Sequence, residues 1–196
     1  MNTELVTAAA TLPVTTVELR RHVWEVYDRD SSDDTYFTEL LTRATAHVET
    51  ITSRKLVSQT WRGYLDAWPA GGAAIELPFG RVTSITRFNW LGADAVDHTL
   101  VATTNYIASL AGYFPKVVPA GGAWPTGELF EVDPIRIEFV AGFGAAAVVP
   151  ADLKQAILIL AAHWYKNREI ARVGNIVSIV PRSFDSLVGP WRIRRV

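Results

Sequence analysis

Cysteine is missing from this chain, and methionine occurs once. A disulfide framework and thiolate metal sites are thereby excluded, and the absence fits synthesis in a reducing cytosol. The most apolar run, Ala156–Ala162, is far shorter than the roughly 20 residues a membrane-spanning helix needs, so no membrane partner is expected. The opening MNTELVTAAATLPVTT has no basic stretch followed by an apolar core and does not read as a signal peptide. Charge of one sign is also missing: 19 Lys and Arg face 20 Asp and Glu, for a formal net charge of −1. No global attraction to nucleic acid or to a membrane surface follows.

Catalytic signatures are equally scarce. There is no Walker A lysine, no GxSxG elbow and no HExxH pair. Gly142-Phe143-Gly144 follows a strand-like segment, but the next helix begins several residues too late for a phosphate cradle. His22, His47, His98 and His163 are scattered without metal-ligand spacing, and read as solvated or hydrogen-bonded histidines. The acids Asp33-Asp34 and Glu128, Glu131 and Asp133 fall in polar turns. Carboxylates used for acid–base chemistry need a cleft that shifts their pKa. No enzymatic activity, metal or cofactor is expected.

What is present is enough apolar content for a real core, 49% of the 196 residues, with charged residues at an ordinary 20%. Charge is distributed unevenly. Residues 1–54 hold nine acids and five bases, whereas residues 172–196 hold five arginines and one aspartate. Such asymmetry marks an interaction tail or a solvated basic terminus. Seven tryptophans are many for this length. Trp61, Trp68, Trp90, Trp124 and Trp191 read as core residues or as interface anchors.

Residues 1–12 read as a flexible leader. Thr15-Thr16 with Glu18 in the first turn starts a helix over about 16–27, without the spacing of a full capping box. An acidic turn follows, and then a helix over about 34–53. Its residues Phe37, Leu40, Leu41, Ala44, Val48 and Ile51 form one apolar stripe. These two helices predict a helical hairpin. From 56 to 145 the period changes to short strands, with Ala74–Leu77, Val82–Phe88, Asn105–Ala108 and, alternating most cleanly, Ile135–Val140. The Gly112–Gly127 stretch reads mostly as loop. A long helix over about 150–169 begins at a well-placed Pro150. It is apolar on more than one face, and so is covered either by the rest of the chain or by a neighbouring subunit. Residues 172–196 form an arm, with one or two helical turns near Ser183–Val188 stopped by Gly189-Pro190. The expected fold is therefore α+β: a mainly helical core of N-terminal hairpin and long C-terminal helix, an inserted small antiparallel β region, and an extended C-terminal arm. One domain spans 13–171.

The order of these segments carries a resemblance. The hairpin from Pro13 to Arg54 leads into Leu56-Val57-Ser58-Gln59-Thr60-Trp61. Ile75-Glu76-Leu77-Pro78, Val82-Thr83-Ser84-Ile85 and Ala123-Trp124-Pro125 follow. Then come Ile135–Gly144, Val149–Leu158 and His163–Glu169. Over roughly residues 13–170 the chain resembles the head–tail connector (adaptor, head-completion) family of long-tailed bacteriophages and phage-derived gene transfer agents. The resemblance implies a closed ring of about twelve copies in the neck of a virion or virion-like particle, made in the bacterial host cytoplasm. The implied partners are further copies of itself, the portal protein and tail-side neck or terminator proteins, with double-stranded DNA passing nearby. It also implies that the C-terminal arm reaches the portal, which points to Phe184, Leu187, Trp191, Arg192, Ile193, Arg194 and Arg195. If the hairpin faces the channel, Asp28, Asp30, Asp33 and Asp34 are candidate channel-facing acids that let DNA slide. A competing expectation is a nucleic-acid-binding module using the arginine-rich tail, with salt-sensitive affinity.

Overall fold

A computed structural model describes residues 1–23, 34–167 and 182–193. The chain divides into two compact units. One comprises residues 1–9 and 58–143, and the other residues 10–57 and 144–196.

The first unit is built of strands. β1 (Asn2–Thr7), β2 (Gln59–Leu65), β3 (Ile75–Glu76), β4 (Val82–Leu91), β5 (Asp97–Thr99), β6 (Tyr106–Ser109), β7 (Lys116–Pro119) and β8 (Ile135–Ala141) form two antiparallel sheets. The larger runs β1-β2-β8-β4-β5 and the smaller β3-β7-β6. β8 lies at the centre because its alternation is strict: Ile135, Ile137, Phe139 and Ala141 are buried, and Arg136, Glu138 and Val140 point the other way. Its buried face meets an aromatic core. Trp68 stacks on Trp124 at 5.1 Å and 9°, Phe88 lies edge-on to Tyr106 at 5.1 Å, and Trp61 packs on Phe79 at 4.8 Å. The Trp124 indole N–H donates to the Ala73 carbonyl at 2.9 Å, so its polar atom is satisfied inside the core. Gly72, at φ +70°, passes so close to Gly122 that a Cβ there would sit 2.0 Å from the Gly122 carbonyl oxygen.

The second unit is helical, with α1 (Thr16–His22), α2 (Asp34–Thr52), α3 (Ala151–Lys166) and α4 (Arg182–Val188). Five of the six residues of the predicted α2 stripe, Phe37, Leu40, Leu41, Ala44 and Val48, are 3% exposed or less, and the sixth, Ile51, is half-buried. It packs on Leu153, Ala156, Ile157, Leu160 and Ala161 of α3, with Phe37 against Tyr165 at 5.1 Å. α1 does start with a full capping box. Thr15 Oγ1 accepts the Glu18 N–H at 3.2 Å, and Glu18 Oε2 accepts the Thr15 N–H at 2.7 Å. The cap is Thr15, one residue earlier than a Thr16 start would place it, which brings Glu18 to the right spacing.

The expectation of a mainly helical core with one small β insertion is corrected by these elements. Of the described residues, 34% are helical and 28% lie in strands, and the strands enclose a core of their own. The residues expected as a flexible leader contain β1, which pairs with β2 along its length. The Gly-rich stretch contains β7. The C-terminal helix α3 runs for 16 residues, and the helical turns expected near Ser183–Val188 are present as α4. The missed strands share one cause. β1, β5 and β7 are short strands of six, three and four residues, so they carry almost no periodic signal of their own. Their formation depends on neighbours that are distant in the chain.

Candidate functional site

The segment from Arg182 to Ile193 was expected to reach outward, and the structure places much of it against the helical unit. α4 turns Phe184 and Val188, one helical turn apart, into that unit's interior at 3% and 0% exposure. The Phe184 ring stacks on His47 of α2 at 6.1 Å, and His47 also lies edge-on to Trp164 of α3. The following 3₁₀ turn, Gly189–Trp191, brings the chain to the C-terminal end of α2. There Ile193 N–H donates to the Thr52 carbonyl at 3.3 Å, and Arg54 Nε donates to the Trp191 carbonyl at 2.9 Å. The Arg54 guanidinium also sits 5.9 Å from the Trp191 ring centroid.

The end of α2 is organised for this docking. Thr52 leaves a helix-terminal carbonyl that needs a donor, and Ile193 provides one. Ser53 adopts φ +53°, and Arg54 N–H returns to the Glu49 carbonyl at 3.2 Å, turning the chain out of the helix. Glu49, 8% exposed, then fixes the exit: its carboxylate accepts from Leu56 N–H at 2.9 Å and from Lys55 Nζ at 3.2 Å. Arg54 is 6% exposed, a buried cation near a helix C-terminus. Sequence reading singled out neither Glu49 nor Arg54. A basic residue directly after a Thr-Ser helix end is the only local signal either carries.

Of the expected arm residues, Phe184 is therefore an intramolecular anchor. Leu187, Trp191, Arg192 and Ile193 are half-buried and keep part of their surface outward. Arg192 Nη2 donates to Asp185 at 2.9 Å, which offsets one of the tail's positive charges. Arg194 and Arg195 lie outside the described residues. So do three of the four candidate channel acids, Asp28, Asp30 and Asp33. The fourth, Asp34, begins α2 and is ion-paired with Arg20 of α1, which ties the two helices together. The tryptophans divide as well: Trp61, Trp68, Trp90 and Trp124 pack in the β unit, and Trp191 lies at the end of α2.

A second surface was not anticipated at all. On the face of the larger sheet opposite its core, register aligns Glu4 with Arg62, Arg62 with Glu138, and Glu138 with Arg87. Arg62 sits in the middle, with Nη2 2.5 Å and Nε 2.9 Å from Glu138 Oε1 and Nη1 3.8 Å from Glu4 Oε2. The hydrogen bonds to the Tyr64 hydroxyl and to Glu138, with the Glu138 charge, raise the guanidinium above its ordinary value and keep it charged. Glu4 also accepts from the Tyr64 hydroxyl at 2.5 Å. At the far end Arg87 donates to Asp97 of β5 at 2.7 Å. The result is an alternating row of charge across four strands. The four residues are spread over the chain, and only strand register brings them together.

Among the described residues no group of three His, Cys, Asp or Glu is placed to hold a metal ion, and no helix is long and apolar enough to cross a membrane. The geometry offers docking surfaces.

No protein-family model matches the chain, and no curated protein does. Solved structures do. The chain is similar over its whole length to a chain in the neck of an empty gene transfer agent (GTA) particle computed with C6 symmetry. The TM-score is 0.83, with 26% identity and 97% of that chain covered. It is also similar to a chain in the virion of a native GTA particle, at TM-score 0.79 and 26% identity. A chain in the neck of a native GTA particle computed with C12 symmetry matches at TM-score 0.78 and 27% identity. Both matches again cover all of this chain and 97% of the other.

Proposed function

We propose that this chain is a structural subunit of the neck of a gene transfer agent or tailed-phage-like particle. In that role it acts as an adaptor: a closed ring of about twelve copies joins portal to tail and continues the DNA channel. One observation carries the reading. The likeness to GTA neck chains spans 100% of this chain and 97% of the other at a TM-score of 0.83, so both units and their connections are shared. The ordered segments of the sequence point the same way. The role is architectural and calls for no chemistry at a reacting centre.

Within this reading the C-terminal segment is the portal-facing element. Phe184 holds it to the helical unit, and Leu187, Trp191, Arg192, Ile193 and the basic Arg194-Arg195 end make the contact. Of the candidate channel acids, Asp34 has its charge offset by Arg20. Removing residues 183–196 entirely would strip Phe184 and Val188 from the helical core. A cleaner change stops the chain after Ile193.

The test is a particle preparation from cells lacking the chain, imaged by electron microscopy. DNA-filled heads without attached tails are expected, with tails restored by the full chain. Normal tailed particles in its absence would overturn the reading. Heads joined to tails as usual by the chain ending at Ile193 would remove Arg194 and Arg195 from the portal contact.

A further inference from the structure

The larger sheet leaves two stretches of strand edge open. All six residues of β1 are exposed, and its only described neighbour is β2. At the opposite side β5 pairs only with Asn89–Leu91 of β4, and Leu100 N–H takes the Phe88 carbonyl. The outer edge of β4 from Val82 to Arg87 therefore has no backbone partner among the described residues. Open edges are usually blunted by lysine, proline or inward-pointing charge. β1 has neither lysine nor proline, and its one charge, Glu4, is paired along the strand row with Arg62.

The two edges match each other. On the core face, register runs Leu5–Trp61–Phe139–Ile85. The row ends in an apolar residue at each side: Leu5 is 44% exposed and Ile85 is half-buried. On the other face the adjacent row runs Glu4–Arg62–Glu138–Arg87, ending in an acid on β1 and a base on β4. The side chains of Glu4 and Arg87 are 59% and 52% exposed. Each row thus finishes at one edge with what complements its finish at the other. Direction agrees as well. β1, β2, β8 and β4 alternate in sense, so β1 and β4 run opposite ways, and copies related by a small rotation would meet as an antiparallel pair.

We propose that the sheet passes from one copy of this chain to the next, with Glu4–Thr7 of β1 pairing antiparallel with the open Val82–Arg87 edge of β4 in the adjacent subunit. Leu5 then extends the apolar row beside the neighbour's Ile85. Glu4 meets the neighbour's Arg87, whose guanidinium has donors beyond those Asp97 takes. The contact is heterologous, β1 to β4 and never β1 to β1, as closure of a cyclic ring requires. Bulges at Leu5/Thr7 on β1 and at Val82/Ser84 and Ile85/Arg87 on β4 supply the bending that a curved, closing sheet needs. The inference rests on the ring reading above and names the surface that builds the ring.

The absence of cysteine makes the test clean. Val6→Cys or Thr7→Cys is combined in one chain with Thr83→Cys or Ser84→Cys, and particles carrying the variant are oxidised and resolved by size under denaturing, non-reducing conditions. Opposed cysteines on paired strands lie within disulfide reach. A ladder of covalent multimers is expected from the double variants, dimers from mixtures of the two single variants, and monomer from each single variant alone. Dimers from a β1 cysteine alone would overturn the proposal. So would the absence of any ladder in necks that contain the chain, which leaves the neck reading standing. Absence of the chain from particle necks would overturn that reading and this one together.

Discussion

The two units bury their interiors by different means. The β unit is filled by rings: Trp61, Trp68, Phe79, Phe88, Trp124 and Phe139 meet one another at tilted, edge-on or stacked angles. The helical unit is filled mainly by aliphatic residues and alanine, which let α2 and α3 approach closely, with aromatics toward the helix ends. What each unit can offer a partner differs accordingly. A sheet ends in strand edges, with backbone groups and side-chain rows that stop abruptly. A helix pair ends in carbonyls that need donors, and here the C-terminal segment supplies one. The β unit thus offers strand edges, and the helical unit holds a docked C-terminal segment.

The largest effect that separates the two cores comes from truncating a ring at the centre of the sheet. Phe139→Ala removes a fully buried side chain from β8, where both β2 and β4 pair. The expected loss is about 3–5 kcal/mol. It is checked by denaturant unfolding, with hydrogen exchange locating the lost protection in β2, β4 and β8. Ala161→Gly in α3 removes one methyl and adds backbone freedom, for about 1 kcal/mol plus a small packing term. Equal losses from the two changes would mean that the rings do not dominate the β core.

The same contrast explains what could be read in advance. The stripe from Phe37 to Val48 announced α2, and the alternation from Ile135 to Val140 announced β8, because each element carries its whole pattern locally. β1 could not be read this way. NTELVT is β-prone, but it is exposed on both faces, so no alternation marks it, and it is a strand only because β2 lies beside it. The charged row was illegible for a related reason: Glu4, Arg62, Arg87 and Glu138 acquire their order from register, which is a property of the assembled sheet. The C-terminal segment was expected to reach a partner. Its Phe184 docks on the segment's own helical unit, and Arg54, which donates to the Trp191 carbonyl, and Glu49, which fixes the chain's exit from α2, had no pattern to give them away.

Breaking the helix-end device tests the second half of the comparison at a smaller scale. Arg54→Ala removes the donor to the Trp191 carbonyl and a buried cation from the end of α2. A loss of about 1–3 kcal/mol is expected, concentrated in the C-terminal segment. Hydrogen exchange should rise in α4 and in the turn at Gly189–Trp191, with the β unit unchanged. Arg54→Lys keeps the charge but not the fork geometry, and should recover only part of the loss. Full recovery by lysine would assign the effect to charge alone.

The smallest effects separate the units by the sign of their pH response. In the helical unit, partial burial pushes the His22 imidazole below its ordinary value, with the Lys166 charge adding to it. The unfolded chain therefore takes up this proton first, and stability is lost as pH falls from about 6.5 through the depressed folded value. The Glu18 carboxyl is also lowered, first by the Thr15 backbone N–H and then by the Thr15 hydroxyl. Its contribution is complete above the ordinary carboxylate range and disappears as pH falls below about 4. In the β unit the shift has the opposite sense: burial raises the Tyr106 phenol, so the folded form resists ionisation. Stability from that group is intact below about pH 10 and is lost as pH rises through the raised value. Acid should therefore loosen α1 first, and alkali the Phe88–Tyr106 contact. Hydrogen exchange across pH reads both. His22→Gln should flatten the slope just below pH 6.5, and Tyr106→Phe the alkaline one. A slope that survives the matching substitution would mean that groups elsewhere in that unit set its pH response.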